Sequence, residues 1–495
     1  MTGTARKLAA IAGTAVGLLL LAPASASAVE REFVGEVPTG TVGPYEVKQA
    51  VEFPVPAPPG GGYITKMETD IVDATTGQPV PISRLMLHHI VFASIGRPDS
   101  TCHGQGFLGF DSRPDPLAGI PIQRFYAAGE ERAKLSMPDG YGYEIGASPA
   151  WGMTYMIMNH RNLPDNAIIE YKVTYEDDPA GENLTAVTPW WLDVRDCRSD
   201  PIYNVPGVKP KPKKKGKARK PASHPIHTET RNYTVPAAGR IVAGAGHVHG
   251  GAYKLTITQP ECGNRQVAES NPTWGLPEHP FYTVRPVLHE PGPINMSAFH
   301  SEHGIPVGAG GKLRLNSVYD NSRPHTRVMG IFVLFIAPPE SGPPPQSCDP
   351  MPGDVQTFAT DQPGRTGGPI PYTIPLTGLN AAGQAVTIKK PPGKLKAAKP
   401  GAVVTVGDRF FDKKNLRVAK GSKLKYRFSS GELHNLTLAN GPLGIGSDNL
   451  NGNRIYTQKF TRPGTYNFFC GLHPVQMSQH VVVKGKKKKG KKKRK

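Results

Sequence analysis

A ten-residue run, Phe468-Phe469-Cys470-Gly471-Leu472-His473-Pro474-Val475-Gln476-Met477, leaves this chain few folds to choose from. Residues 465–469 are β-formers and read as a strand that ends at Cys470. Residues 480–484 read as a strand that leaves again, so a tight loop must bring His473 and Met477 back to the thiol. His434, in His434-Asn435-Leu436-Thr437-Leu438, lies 36 residues earlier and belongs to a separate strand. One thiolate, two imidazoles and one thioether form a donor set that suits copper in both oxidation states. Soft sulfur favours Cu(I), while imidazole nitrogen also holds Cu(II). A site acceptable to both reorganises little when an electron moves.

Residues 401–484 resemble the cupredoxins, specifically the plastocyanin–amicyanin group of blue copper electron-transfer proteins. The resemblance implies a Greek-key β-sandwich. It also implies one type 1 copper, with His434, Cys470 and His473 as equatorial ligands and Met477 as the axial one. The segment from His473 to Met477 is one residue longer than in amicyanin-like members and one shorter than in plastocyanin. Gln476 is therefore an alternative axial ligand.

The remainder of the chain also reads as mainly β. Its 495 residues suggest about three domains. Gly (56) and Pro (51) punctuate short apolar runs, and no amphipathic helix stands out. Residues 29–205 form a first expected β-sandwich, with apolar runs at 86–94, 153–158 and 168–174. A basic linker covers 206–224. A second sandwich spans 225–338, with strands expected at 253–258 and 329–337. A Pro/Gly/Lys linker follows at 339–400, then the copper-type domain at 401–484 and a Lys-rich tail at 485–495. The expectation is two linked β-sandwich domains followed by a C-terminal cupredoxin.

Paired His88 and His89 sit in an apolar strand, His160 ends another, and His247-Val248-His249 projects two rings from one strand face. Met329 sits in the last apolar strand of the second unit. Singly these are weak, because a histidine in a core strand is usually structural and a methionine there is usually packing. Their order and partition resemble the copper type II, ascorbate-dependent monooxygenases, over roughly residues 45–340. That resemblance makes His88, His89 and His160 the ligands of an electron-transfer copper. It makes His247, His249 and Met329 those of an oxygen-activating copper, giving two further type 2 coppers. No catalytic residue separate from the ligands is expected. Where amidating members carry an Arg before the His-x-His, this chain has Ala245, and Ile331 and Val333 replace their Asn and Tyr. These departures argue against peptide amidation and are equally compatible with a silent scaffold. His300, His303 and His325 read as additional ligands or as surface residues.

The net charge of +20 suggests nucleic acid at first sight. However, 209–220 and 484–495 carry 18 of those charges without interleaved aromatics, so no nucleic-acid reader is expected. The Lys tail suits anionic cell-surface polymers. Arg6 and Lys7, the apolar stretch 8–22 and Ala26-Ser27-Ala28 read as a secretory signal over 1–28, and no other stretch reaches membrane length. A secreted or extracytoplasmic address follows, with disulfides permitted. Cys102, Cys197, Cys262 and Cys348 are the candidates and Cys470 is left over. Sequence leaves three pairings open. Cys102 with Cys197 and Cys262 with Cys348 would keep each bridge inside one expected domain. The functional expectation is an exported copper redox protein. Its blue copper domain would take electrons from an external reductant or redox partner and feed a module that hydroxylates a small organic C–H substrate with O2. The alternative is an electron-transfer or copper-carrying protein on a catalytically silent scaffold.

Overall fold

The computed structural model describes residues 29–59, 61–102, 119–177, 183–208, 225–359 and 364–485. The expected signal at 1–28, the basic run from 209 and the tail beyond 485 lie outside the described residues.

The described residues are almost all β, in three sandwiches. Period-two burial makes the outer strands. Lys312–Asp320 and Lys423–Phe428 alternate inward apolar and outward polar side chains. Leu85–Ile95 and Trp151–Asn159 are buried along almost their whole length, because they face a core on one side and a neighbouring unit on the other.

In the first sandwich, Val47–Val55, Trp151–Asn159, Leu85–Ile95 and Ile122–Gly129 form one sheet in that order. It packs on a sheet built around Ile168–Asp177 and Tyr63–Val72, enclosing Ile64, Phe92, Phe125, Trp151 and Tyr171. In the second, Thr188–Asp193, Gly330–Ala337, Gly239–Val248, Ala298–Val307 and Gln356–Phe358 pair in order. The facing sheet is Ile226–Thr234, Lys312–Asp320, Ala252–Gln259 and Arg265–Ser270. The C-terminal sandwich places His473–Lys484 between Asn415–Ala419 and Gly464–Cys470, over a sheet containing Val403–Gly407 and Lys423–Phe428.

Three expectations about boundaries change. Residues 188–205 were expected in the first sandwich, but Thr188–Asp193 and Tyr203–Val205 pair with strands of the second. The apolar Trp190-Trp191-Leu192 run is buried there, completing the second core. As a result the Cys102–Cys197 bridge ties the two sandwiches together rather than closing within one. The second bridge is Cys262–Cys348. The 339–400 segment was expected to be a linker only. Instead Gln356–Phe358 joins the second sandwich and Lys396–Ala397 joins the third.

The third sandwich is docked on the other two. Leu472 and Met477 share an apolar cluster with Tyr45, Val47, Met156 and Met158. Around that cluster, the Val47 N–H donates to the Leu472 carbonyl at 3.4 Å. Asn449 donates to Gln49 at 3.1 Å, Asn204 to the Gly446 carbonyl at 3.0 Å, and Arg462 to the Gly207 carbonyl at 2.6 Å. No helix among the described residues is long and apolar enough to cross a membrane.

Candidate metal centres

At the C-terminal site, the strand Gly464–Cys470 turns through Gly471 and Leu472 into His473–Lys484. The connection is therefore tighter than the loop expected between Cys470 and Met477. His434 precedes the strand Thr437–Asn440 and pairs with Leu450 in an isolated bridge. Cys470 Sγ lies 3.8 Å from both His434 Nδ1 and His473 Nδ1. Metal bonds of about 2.0 Å to nitrogen and about 2.3 Å to sulfur, at a trigonal angle, set those donors about 3.8 Å apart. The three residues are buried. Burial raises the Cys470 thiol pKa. Burial, helped by the nearby His434, lowers His473 to about 3, so its ring is neutral and able to ligate. The Asn435 N–H donates to the sulfur at 3.4 Å. Its side-chain carbonyl accepts from Gly471 N–H and from the Thr437 hydroxyl at 2.8 Å, locking the turn. Met477 points into the core, 1 % exposed. Gln476 alternates outward, and its amide donates to the Pro44 carbonyl at 3.2 Å.

Histidines of the two expected N-terminal sites lie close to one another. Neighbours on a strand normally face opposite ways. The register of Leu85–Ile95 against Trp151–Asn159 slips between Leu87 and His89, so His88 and His89 lie side by side, ring centroids 5.2 Å apart. His88 also lies 5.0 Å from His249, which belongs to the other sandwich, and 4.8 Å from His289. His247 and His249 are 5.2 Å apart. His160 Nδ1 bonds to the Pro286 carbonyl at 3.0 Å. Met329 lies just before the strand Gly330–Ala337, not within it, and is buried.

His88, His160, His247 and His249 are held from behind. His88 Nδ1 meets Glu130 at 2.6 Å, His247 Nδ1 meets Glu131 at 2.9 Å, and His249 Nδ1 donates to the Arg327 carbonyl at 3.0 Å. The Nε2 atoms of His160, His247 and His249 are then buried without a hydrogen-bond partner. An unsatisfied buried polar atom costs about 1–3 kcal/mol. A metal explains the arrangement, since metal-bound imidazoles typically donate their other N–H to a carboxylate or carbonyl. Burial lowers His88, His89 and His249, and takes His160 to about 4. For His247 burial acts in the same direction, but the Glu131 carboxylate outweighs it and the pKa rises. Gly129 is needed here, because a Cβ would sit 2.7 Å from the His247 ring.

Sequence reading missed Glu130, Glu131 and His289. Glu130 bonds His88, His289 and the Gly292 N–H. Their only sequence signal was a pair of acids just after a core strand. Of the three undecided histidines, His303 is exposed against Asp354 and His300 is half-buried against Phe358. His325 is buried and bonded to Glu290, so it is no surface residue. A cavity of about 80 Å³ joins the two regions, with His88, His89, His249 and His289 on one side and Asn435, Gly471 and Leu472 on the other.

Comparison with known proteins agrees with this division. Residues 186–339 match the family described as Stress up-regulated Nod 19, and residues 401–484 match the copper binding proteins of the plastocyanin/azurin family. The chain is 27% identical over 121 residues to the probable copper-dependent oxygenase M1 of Phoma sp., covering 23% of this chain and 28% of that protein. It is 26% identical over 121 residues to the probable copper-dependent oxygenase clz3 of Cochliobolus lunatus, covering 23% of this chain and 34% of that protein. The chain thus spans about a third of the length of these two relatives. Amicyanin-alpha of Methylorubrum extorquens is 30% identical over 83 residues, 16% of this chain and 69% of that protein. A reduced Cu(I) mutant of amicyanin is 27% identical over 18% of this chain and 85% of its own, with a TM-score of 0.17. Through residues 401–484, the chain belongs to the copper-binding plastocyanin/azurin family.

Proposed function

We propose that this protein is an extracytoplasmic copper oxygenase with a built-in electron-transfer domain. One observation carries the reading. A cavity lined by Gly471 and Leu472, in the turn after Cys470, is lined on its other side by His88, His89 and His249, which supports placing the proposed blue copper site beside the proposed oxygen site. The likeness to probable copper-dependent oxygenases supports the reaction class.

In this reading His434, Cys470, His473 and Met477 hold the type 1 copper. His88, His89 and His160 hold a second, and His247, His249 and Met329 a third. Copper bound at these histidines supplies one-electron chemistry toward O2. The reaction breaks one C–H bond and the O–O bond and forms one C–O bond: RH + O2 + 2 e⁻ + 2 H⁺ gives ROH + H2O. Both electrons come from an external one-electron donor through the C-terminal domain. Glu130, Glu131 and the Arg327 carbonyl fix ring orientation and tautomer. The two disulfides fit an oxidising compartment.

The test is copper content and EPR of the full chain beside Cys470→Ala. The expected result is about three coppers per chain, with type 2 signals persisting in the variant. One copper, with every signal lost in Cys470→Ala, would leave only electron transfer or copper carriage on a silent scaffold.

A further inference from the structure

Two cavities meet beside His247. The inner one, about 100 Å³, lies between the two N-terminal sandwiches. Ile90, Val91, Phe125, Ala127, Ala245 and Val333 line it, with His89, His247 and Met329 at its edge. The outer one, about 650 Å³, shares Glu131, Lys134, Ser136, Ala298 and Phe299 with the inner one. Its own walls include Ile82, Phe281, Ile294 and Met296.

The charged side chains of the inner wall already have partners in the protein. Arg124 pairs with Asp99 at 2.8 Å and lies over the Trp191 ring. Asp200 pairs with Arg327 at 3.1 Å, Glu131 with His247 at 2.9 Å, and Lys134 with Glu68. On the outer wall Arg132 pairs with Asp70, and Glu130 with His88 and His289. Inside the inner chamber, away from the exposed Lys134, an ionic ligand would lose its hydration without gaining a counter-charge. We propose that the two chambers bind a neutral, mainly apolar organic molecule. Its reacting end enters the inner chamber beside His247 and Met329, and its larger body rests in the outer one. An apolar cavity of about 150 Å³ takes up benzene, so the inner chamber admits a small alkyl group or the edge of a ring. The reaction at that end rests on the oxygenase reading, whereas the binding rests on the cavities alone.

The probes are toluene, benzoate and benzylamine, titrated calorimetrically into the reduced, copper-loaded full chain without O2. Toluene is expected to bind at least about tenfold more tightly than either charged ring, and Ala245→Phe to weaken it about tenfold with copper content unchanged. Val333→Ala, which only widens the chamber, is expected to shift preference from toluene toward p-xylene, and it stands in should the bulkier variant fail to fold. Equal binding of benzoate or benzylamine overturns the proposal, as does toluene affinity indifferent to both variants. Binding in the expected pattern, with no hydroxylated product under O2 and reductant, would keep the site and remove the oxygenase reading.

Discussion

His88 and His249 come from different sandwiches, yet their ring centroids lie 5.0 Å apart. The two expected half-sets of ligands are neighbours, so copper binding at one should be felt at the other. Residues this close usually couple by about 0.5–3 kcal/mol. Copper titrations of His88→Ala, His249→Ala and the double variant should therefore be non-additive by that amount. Strict additivity would mean two independent sites.

Glu131 touches no expected metal position and works through His247. Glu131→Gln should lower copper affinity at the histidine cluster by about 10–100-fold while leaving the type 1 spectrum intact. Unchanged affinity by competition with a chelator would count against the orienting role.

The opposite orientations of Met477 and Gln476 give a spectroscopic test. Met477→Leu should raise the type 1 reduction potential and alter its visible band, because the weak axial donor is lost. Gln476→Ala should do neither. A shift in the second variant alone would make Gln476 the axial ligand.

The electron delivery proposed above would follow a short covalent and hydrogen-bonded connection. The Leu472 carbonyl accepts the Val47 N–H at 3.4 Å, and the adjoining Glu46 carbonyl accepts the Asn159 N–H at 2.9 Å, one residue before His160. Val47 opens its strand, where proline is tolerated. Val47→Pro should slow reduction of the histidine-bound copper after flash reduction of the type 1 site, with no loss of copper. An unchanged rate would discard this connection.

Asp193 gives the pH dependence of folding. Burial raises its pKa to about 6 in the folded chain, and one carboxylate oxygen has no hydrogen-bond partner. Its contribution to stability is complete below the ordinary carboxylate pKa and is lost as pH rises through about 6. Two units correspond to about 2.7 kcal/mol. Asp193→Asn should therefore raise the melting temperature at pH 8 and leave it unchanged at pH 4. A drop at pH 8 would show that the charge is needed.

The C-terminal site was legible in the sequence because its donors are close in the chain. Cys470, His473 and Met477 lie on one strand–turn–strand unit, and the alternation of that strand decides which neighbour faces inward. The histidines of the first 340 residues were legible as ligand types, and the β character of their strands followed from apolar runs between turns. Their grouping was not legible. A bulge at His88, a glycine at 129 and the packing of two sandwiches bring His88 against His249 and place Glu130 and Glu131 behind the rings. Such contacts span from 42 to more than 150 residues, and no local pattern encodes them.

The same holds for the docked C-terminal domain. Pro, Gly and Lys in 339–400 suggested a free tether, because composition reports local stiffness and solvation only. Whether a domain docks depends on complementary surfaces elsewhere. Here Tyr45, Val47, Met156 and Met158 meet Leu472 and Met477. The sequence by itself determined the β class and the copper-binding C-terminal domain, and it named the candidate donors. The tertiary structure alone decided that His88 lies against His249, that the C-terminal domain is docked beside them, and that an apolar chamber opens next to His247, because burial and proximity between distant strands exist only once the sheets have packed.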